Sequence, residues 1–408
     1  MIRKLTFSNF CSFADEATLN FTTSAKTPTD NSFVETTVGD QVSVLAGVFG
    51  PNGSGKTTLL KAMTFTQFFL IFSYKGLADD EQIPLDTFLT RTKEKSEFDL
   101  DFEGRGKRYR YKFTIQDKAI LEERLYLYNQ KTKSFRTLLH RQLSDDGELS
   151  LKQSKSFTDL ALLKKLITER PNSSMLAAGL VTGKKEFKEI ADCIGPQISN
   201  VGRHGKKAHG VQEMDEEIFT SSEFFHKHPE YNDDLTELLQ AADLGISSFE
   251  IRKVPGIGAD KQSKELYVPF LTHEGPDGSF ELSIFDESSG TRRLFLLFAA
   301  FLPILKYGGL AVIDEMESDL HPHIIPLLLG LFSDRHINTL KAQLLFTCHH
   351  VEILNHLAKE QITLVDKSED CVSDAYRLSD VKGVRRDENH FANYNAGRYD
   401  AVPEPSIF

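Results

Sequence analysis

The run Gly50-Pro51-Asn52-Gly53-Ser54-Gly55-Lys56-Thr57-Thr58 calls for a strand, a tight loop and a helix in that order. Its glycines let the backbone curl with N–H groups turned inward. There, together with a helix N-terminus, they can hold phosphate oxygens. Lys56 reaches the β and γ phosphates in such a loop, and Thr57 offers its hydroxyl to Mg²⁺. Asn52, Gly53, Ser54, Gly55 and Thr58 complete the cradle. The flanks agree: residues 41–48 form a short apolar strand pattern and residues 57–72 an apolar-rich helical one. The bland alternative is a glycine-rich turn that binds nothing.

Three further elements follow. Leu310-Ala311-Val312-Ile313-Asp314-Glu315 reads as a strand buried on both faces, delivering two carboxylates at the sheet edge where α/β proteins bind ligands. Asp314 is placed to hold Mg²⁺ and Glu315 to polarise the water that attacks a γ phosphate. The alternative is an ordinary buried strand before an acidic loop. Glu287-Ser288-Ser289-Gly290-Thr291-Arg292-Arg293 precedes an unbroken apolar helical stretch, 294–305. Unpaired N–H groups and the helix dipole make such a start a second anion site, or else Ser289 is only an N-cap. Leu344-Leu345-Phe346-Thr347-Cys348-His349-His350 is another buried strand, ending in polar residues suited to sensing a γ phosphate.

In this order, with Ser318-Asp319 between the last two, the elements resemble the heads of ABC-type ATPases. The opening Ile2-Arg3-Lys4-Leu5-Thr6-Phe7-Ser8-Asn9-Phe10-Cys11-Ser12-Phe13 is similar to the start of the soluble branch. That branch is shared by structural-maintenance-of-chromosomes, RecF-like and overcoming-lysogenization-defect ATPases. The run from Phe391 through Tyr394, Gly397 and Tyr399 to Pro403 resembles the tail of bacterial abortive-infection, or phage-defence, AAA-type ATPases. The resemblance implies an α/β P-loop NTPase of the ABC-ATPase head type: a mixed central sheet, an antiparallel β subdomain and a helical lobe. It also implies ATP and Mg²⁺ as ligands and a head-to-tail homodimer enclosing two ATP molecules. Lys56 and Asp314 of one subunit would face Ser289 and Gly290 of the other, with Asp319 at the interface and His349 on the γ phosphate. A symmetric pair is a natural way to let a cradle and a separate helix start close on one nucleotide. The signature departs from the Leu-Ser-Gly-Gly-Gln of transporter heads, and His350 replaces a small residue. Gln82 falls in the window of the phosphate-sensing glutamine loop.

The chain of 408 residues, 40% of them hydrophobic, is long enough for two or three domains. The expected divisions are 1–140, with the cradle and the antiparallel strands; 141–303, the helical lobe with an insertion and the signature; and 304–408, the second part of the nucleotide-binding lobe. With 48 basic and 59 acidic residues, the net charge of −11 argues against indiscriminate coating of nucleic acid, while local basic segments leave DNA open as a partner. Cys11, Cys193, Cys348 and Cys371 have no metal or disulfide spacing, which suits a reducing cytoplasm. The apolar stretch 294–305 has only 12 residues, including Pro303. A membrane span needs about 20, so no membrane association is expected.

Residues 98–102 and 107–115 read as antiparallel strands, Tyr109, Tyr111 and Phe113 alternating with Arg108, Arg110 and Lys112. The basic face could grip a phosphate backbone or simply be the solvated side of an edge strand. From about 145 to 244 the pattern turns helical, with stripes Phe187, Ile190, Ala191, Ile194 and Leu235, Leu238, Leu239, Ala242. These are too short for a long coiled coil. The basic loop 202–210 and Phe225-His226-Lys227-His228 read as solvated, with a nucleic-acid or metal role as the alternative; His321 and His323 make no convincing zinc set. No second enzyme is legible. The chain reads as an ATPase acting through a partner effector, a nuclease or toxin encoded nearby. The alternatives are an ATP-gated DNA- or protein-clamping scaffold with slow hydrolysis and a RecF-like repair ATPase.

Overall fold

The computed structural model describes residues 1–402 apart from 25–26, 28–29, 145, 156, 158–159, 203–204, 207–210, 243–244 and 258–262, with backbone only at 205–206, 211–213, 257 and 263–264. Arg203, His204 and 207–210 of the basic loop, and Pro403 of the tail, therefore lie outside the described residues.

Apolar runs make the central sheet. Its six strands lie in the order Gln197–Ser199, Leu310–Ile313, Gln343–Thr347, Leu45–Phe49, Ile362–Lys367, Ser373–Arg377; the first five are parallel and the last antiparallel. Every residue of Leu45–Phe49, Leu310–Ile313 and Gln343–Thr347 is buried, as expected of strands covered on both faces. Side chains alternate between two cores: Ala46, Val48, Val312 and Leu345 join one, and Leu45, Phe49, Ala311, Ile313, Leu344 and Phe346 the other. The register, Ile313 opposite Phe346 and Phe346 opposite Gly47, brings Asp314, Thr347 and Gly50 to one edge of the sheet. This is the α/β P-loop ATPase architecture.

The first core is closed by a seven-stranded antiparallel sheet, in the order Leu149–Gln153, Ser134–Leu143, Ala119–Asn129, Lys107–Gln116, Ser96–Gly104, Ile2–Ser8, Ala17–Asn20. Phe113 stacks on Phe98 at 4.8 Å and meets Phe69 at 4.5 Å. Phe69 belongs to a π-helical turn, Phe68–Phe72, that continues the cradle helix Lys56–Gln67. The sequence-based edge-strand reading is corrected here: Lys107–Gln116 is interior, paired on both sides. Its basic residues are matched by cross-strand acids, Arg108 with Asp101 and both Arg110 and Lys112 with Asp99. Two carboxylates thus offset most of the charge of these three cations.

The second core lies under the helix Ser289–Tyr307, against Val211–Lys227 and Asn232–Ala241. The stretch 145–244 is mainly helical, but among its described residues it includes four strands: Leu149–Gln153 extends the antiparallel sheet, Gln197–Ser199 edges the central one, and Val201–Gly202 pairs with Gly205–Lys206. Each is only a few residues long, too short to show a period. A three-stranded sheet, Ile246–Ile257, Ser263–Gly275 and Gly278–Ser283, follows. Among the described residues no helix is long and apolar enough to cross a membrane.

Candidate nucleotide site

The cradle is pressed against the C-terminal hairpin. At Gly50, φ +149°, a Cβ would lie 2.0 Å from the Val365 carbonyl oxygen; at Gly55, φ +120°, it would lie 2.6 Å from Ser373 Oγ. Only glycine fits both conformation and space. Ser373 ties three segments together, its hydroxyl donating to the Ser54 carbonyl at 2.5 Å and pairing with the Ser12 hydroxyl at 2.8 Å. The Asn-Phe-x-Ser-Phe start and the far C-terminal strand thus hold the loop from outside, a role that no local pattern signals for Ser373.

Lys56 is 7% exposed, and its Nζ donates to the Gly50 and Pro51 carbonyls, both at 2.9 Å. Burial pulls its pKa below the usual lysine value, opposed by the fields of Asp314, Glu315 and Glu317. Thr57, next along the helix, donates from Oγ1 to Asp314 Oδ2 at 2.7 Å. The other carboxylate oxygen of Asp314 accepts from Thr347 Oγ1 at 2.6 Å, and that hydroxyl in turn accepts from the Glu315 N–H at 2.7 Å. One threonine at a strand end therefore orients both acids. Asn200 holds Asp314 from the opposite side: its Oδ1 accepts from the Asp314 N–H at 2.7 Å and its Nδ2 donates to the Asp314 carbonyl at 2.9 Å.

Glu315 sits in the left-handed region, φ 47°, which turns the chain so that successive carboxylates take different directions. Asp314 is 2% exposed, whereas the Glu315 side chain is 41% exposed and lies 3.8 Å from His349 Nε2. The His349 N–H donates to Glu317 Oε1 at 2.7 Å. Glu317 Oε2 and Ser54 Oγ are buried and have no hydrogen-bond partner among the described residues.

The Ser-Gly turn differs from expectation in one respect. The N-cap of Ser289–Tyr307 is Ser288, whose Oγ accepts from the Thr291 N–H at 3.1 Å. Ser289 is thereby relieved of capping: it stands exposed in the first turn, with no side-chain bond among the described residues. At Gly290 a Cβ would lie 3.1 Å from the Asp319 carbonyl oxygen, so the helix start and the Asp319 turn, φ 63°, pack together in one chain. No hydrogen bond among the described residues joins this turn to residues 50–58. Gln82 is exposed in the irregular stretch before Ser96–Gly104, with no bond to the site among the described residues.

Asn200, Thr347, Glu317 and Ser373 were not assigned roles from sequence. Thr347 lies inside the strand-end run 344–350 and Glu317 in the acidic loop after Glu315, whereas no motif marks Asn200 or Ser373. Thr57 Oγ1 and Asp314 Oδ2, close together and both hard oxygen donors, fit a Mg²⁺ ion; among the described residues no cluster of three His, Cys, Asp or Glu side chains offers another metal site. Replacing Thr347 with valine removes its hydrogen bond to the Asp314 carboxylate, worth about 1.5–3 kcal/mol, and also the acceptor of the Glu315 N–H. We expect hydrolysis to fall about tenfold or more, with nucleotide affinity in EDTA within about twofold of the parent, read by phosphate release and fluorescent-nucleotide titration.

Among solved structures, the chain is similar to the SMC head domain from Thermotoga maritima, at 12% identity over 92% of this chain and 98% of that one, with a TM-score of 0.45. It is also similar to the Smc head domain with an extended coiled coil bound to the C-terminal domain of ScpA, derived from Pyrococcus furiosus, at 13% identity over 93% and 96%, with a TM-score of 0.40. No curated protein matches it. The family profile described as "AAA domain, putative AbiEii toxin, Type IV TA system" matches residues 45–172 and 192–355, well over half the chain and the whole of the site from cradle to His349. The chain therefore belongs to this AAA-domain ATPase family.

Proposed function

We propose that this protein binds and hydrolyses ATP with Mg²⁺, in a homodimer whose two sites are each completed by the partner's Ser289 and Gly290. We further propose that this cycle controls an effector, a nuclease or toxin, in bacterial defence against phage. The carrying observation is the convergence of Thr57, Asp314 and Thr347 on one sheet edge, with Glu315 and His349 exposed beside them. The exposed, uncommitted Ser289 at a helix start supports the shared site. The family's own description, a putative toxin of a toxin–antitoxin system, supports the defence role.

Within each site, Lys56 and the loop N–H groups bind the phosphates, while Thr57 and Asp314 hold the cation, which neutralises phosphate charge when bound. Glu315 accepts the proton of the attacking water, and His349, whose Nε2 lies 3.8 Å from the Glu315 carboxylate, positions that water against the γ phosphate.

Complementation tests the shared site. Lys56→Ala and Ser289→Arg should each be inactive alone. Mixed, they form heterodimers with one intact composite site, and hydrolysis should recover to about a quarter of the parent rate per chain, since about half the dimers are mixed. Recovery absent from a mixture shown to contain heterodimers rules out sharing. Phage infection of cells carrying the gene with its neighbours, parent against Lys56→Ala, tests the defence role by plaque count.

A further inference from the structure

Behind the Leu310–Ile313 strand lies a cavity of about 320 Å³, between Val211–Lys227 and Ser289–Tyr307. It shares no residue with the cradle. Phe224, Leu296, Leu297 and Ala300 form its apolar wall, Thr220 and Asn200 its polar side. Arg293 also lines it and is 4% exposed, yet its Nε and Nη2 have no hydrogen-bond partner among the described residues. Glu217, in the same lining, is already partnered. Its field and those of Asp319, Glu317 and Glu315 act on Arg293 without supplying those two N–H groups with acceptors.

A buried guanidinium with unmet donors is costly. An adjoining cavity large enough for a small molecule offers a remedy. We propose that this cavity binds a small ligand with an oxyanion at one end and an aliphatic body at the other. The oxyanion would take Arg293 through its fork of donors, and the body would fill the apolar wall. At ~30 Å³ per water, the space holds a molecule of roughly ten non-hydrogen atoms. Its position carries a consequence: Asn200, which lines it, fixes Asp314 by two hydrogen bonds, so an occupant touches the residue that holds the cation-binding carboxylate. The binding inference itself does not depend on ATP hydrolysis.

Octanoate, octanamide and octan-1-ol are suitable probes, titrated into the full chain by calorimetry. Octanoate should bind saturably at one per chain, at least tenfold tighter than the two uncharged analogues. Arg293→Leu should weaken octanoate about tenfold to a hundredfold, the worth of hydrogen bonds to a charged group, and leave octanamide unchanged. Ala300→Phe, which fills the cavity while keeping Arg293, should abolish binding. The proposal fails if the three probes bind alike, if no saturable binding occurs below about 10 mM, or if ATP displaces octanoate competitively. If Arg293→Leu does not fold, Ala300→Phe decides alone: undiminished octanoate affinity overturns the site. An Arg293→Leu chain that loses ATP-dependent dimerisation but keeps octanoate affinity also overturns it, placing Arg293 at the dimer face instead.

Discussion

Glu315→Gln is expected to bind ATP normally and hydrolyse it about a hundredfold to ten-thousandfold more slowly, the usual share of a positioned general base. The substitution keeps the side chain's length and its backbone anchor, the N–H bond to Thr347 at 2.7 Å, and removes only the charge that accepts a proton. Asp314 is untouched, because its carboxylate is held by Thr57 and Thr347 and its main chain by Asn200. Binding and water activation thus rest on neighbouring residues with separate supports, so one can fail without the other. With ATP retained and turnover blocked, a shared-site dimer should accumulate. Light scattering at saturating ATP should report twice the monomer mass for the variant and a smaller dimer fraction for the parent. A variant that stays monomeric would remove the sandwich; one that hydrolyses at the parent rate would remove Glu315 as the base.

Much of this site was legible in the sequence because its elements are local. The cradle, the acidic strand end and the strand-end histidine each occupy a few consecutive residues whose periodicity and composition announce strand, loop or helix. What could not be read was how the chain holds them. Asn200 follows a three-residue strand and secures an acid 114 positions away; Ser373 braces Ser12 across 361 positions. A polar residue in a short irregular segment looks the same whether it faces water or buttresses a loop, since only the tertiary fold decides. The N-cap shows the same limit at closer range. Ser288 and Ser289 are equally good caps by propensity, and the entry angle of the chain chose the first, leaving the second exposed. The Arg-Lys face of Lys107–Gln116 failed for a related reason: its charge was visible, but the matching Asp99 and Asp101 belong to the neighbouring strand and meet it only by register.

Glu123→Ala should cost about 3–5 kcal/mol of stability, the effect expected when one partner of a buried ion pair is removed. Glu123 is fully buried. It accepts from Arg141 Nη1 at 2.8 Å, from the Tyr111 hydroxyl at 2.7 Å and from the Met175 N–H at 3.0 Å. Arg141, 1% exposed, also donates to the Ser173 and Pro171 carbonyls. Burial and the adjacent carboxylate keep the Tyr111 phenol well above its ordinary pKa, so it remains a donor. The cluster joins three strands of the antiparallel sheet to the helix Met175–Val181, which packs on the π turn after the cradle helix. Truncating the glutamate strands a guanidinium, a phenol and a helix-start N–H in the core. Truncating both charges removes that penalty, so Glu123→Leu with Arg141→Met should recover most of the loss despite having fewer polar contacts. Urea midpoints of the three chains check this. A single-variant cost below about 1 kcal/mol would mean that water reaches the pair, and a double variant no better than the single would mean that Pro171 and Ser173 need the guanidinium more than the glutamate does. Because ATP adds stability only to folded chain, saturating nucleotide should raise the midpoint of Glu123→Ala as it does the parent's, separating a weakened scaffold from a damaged site.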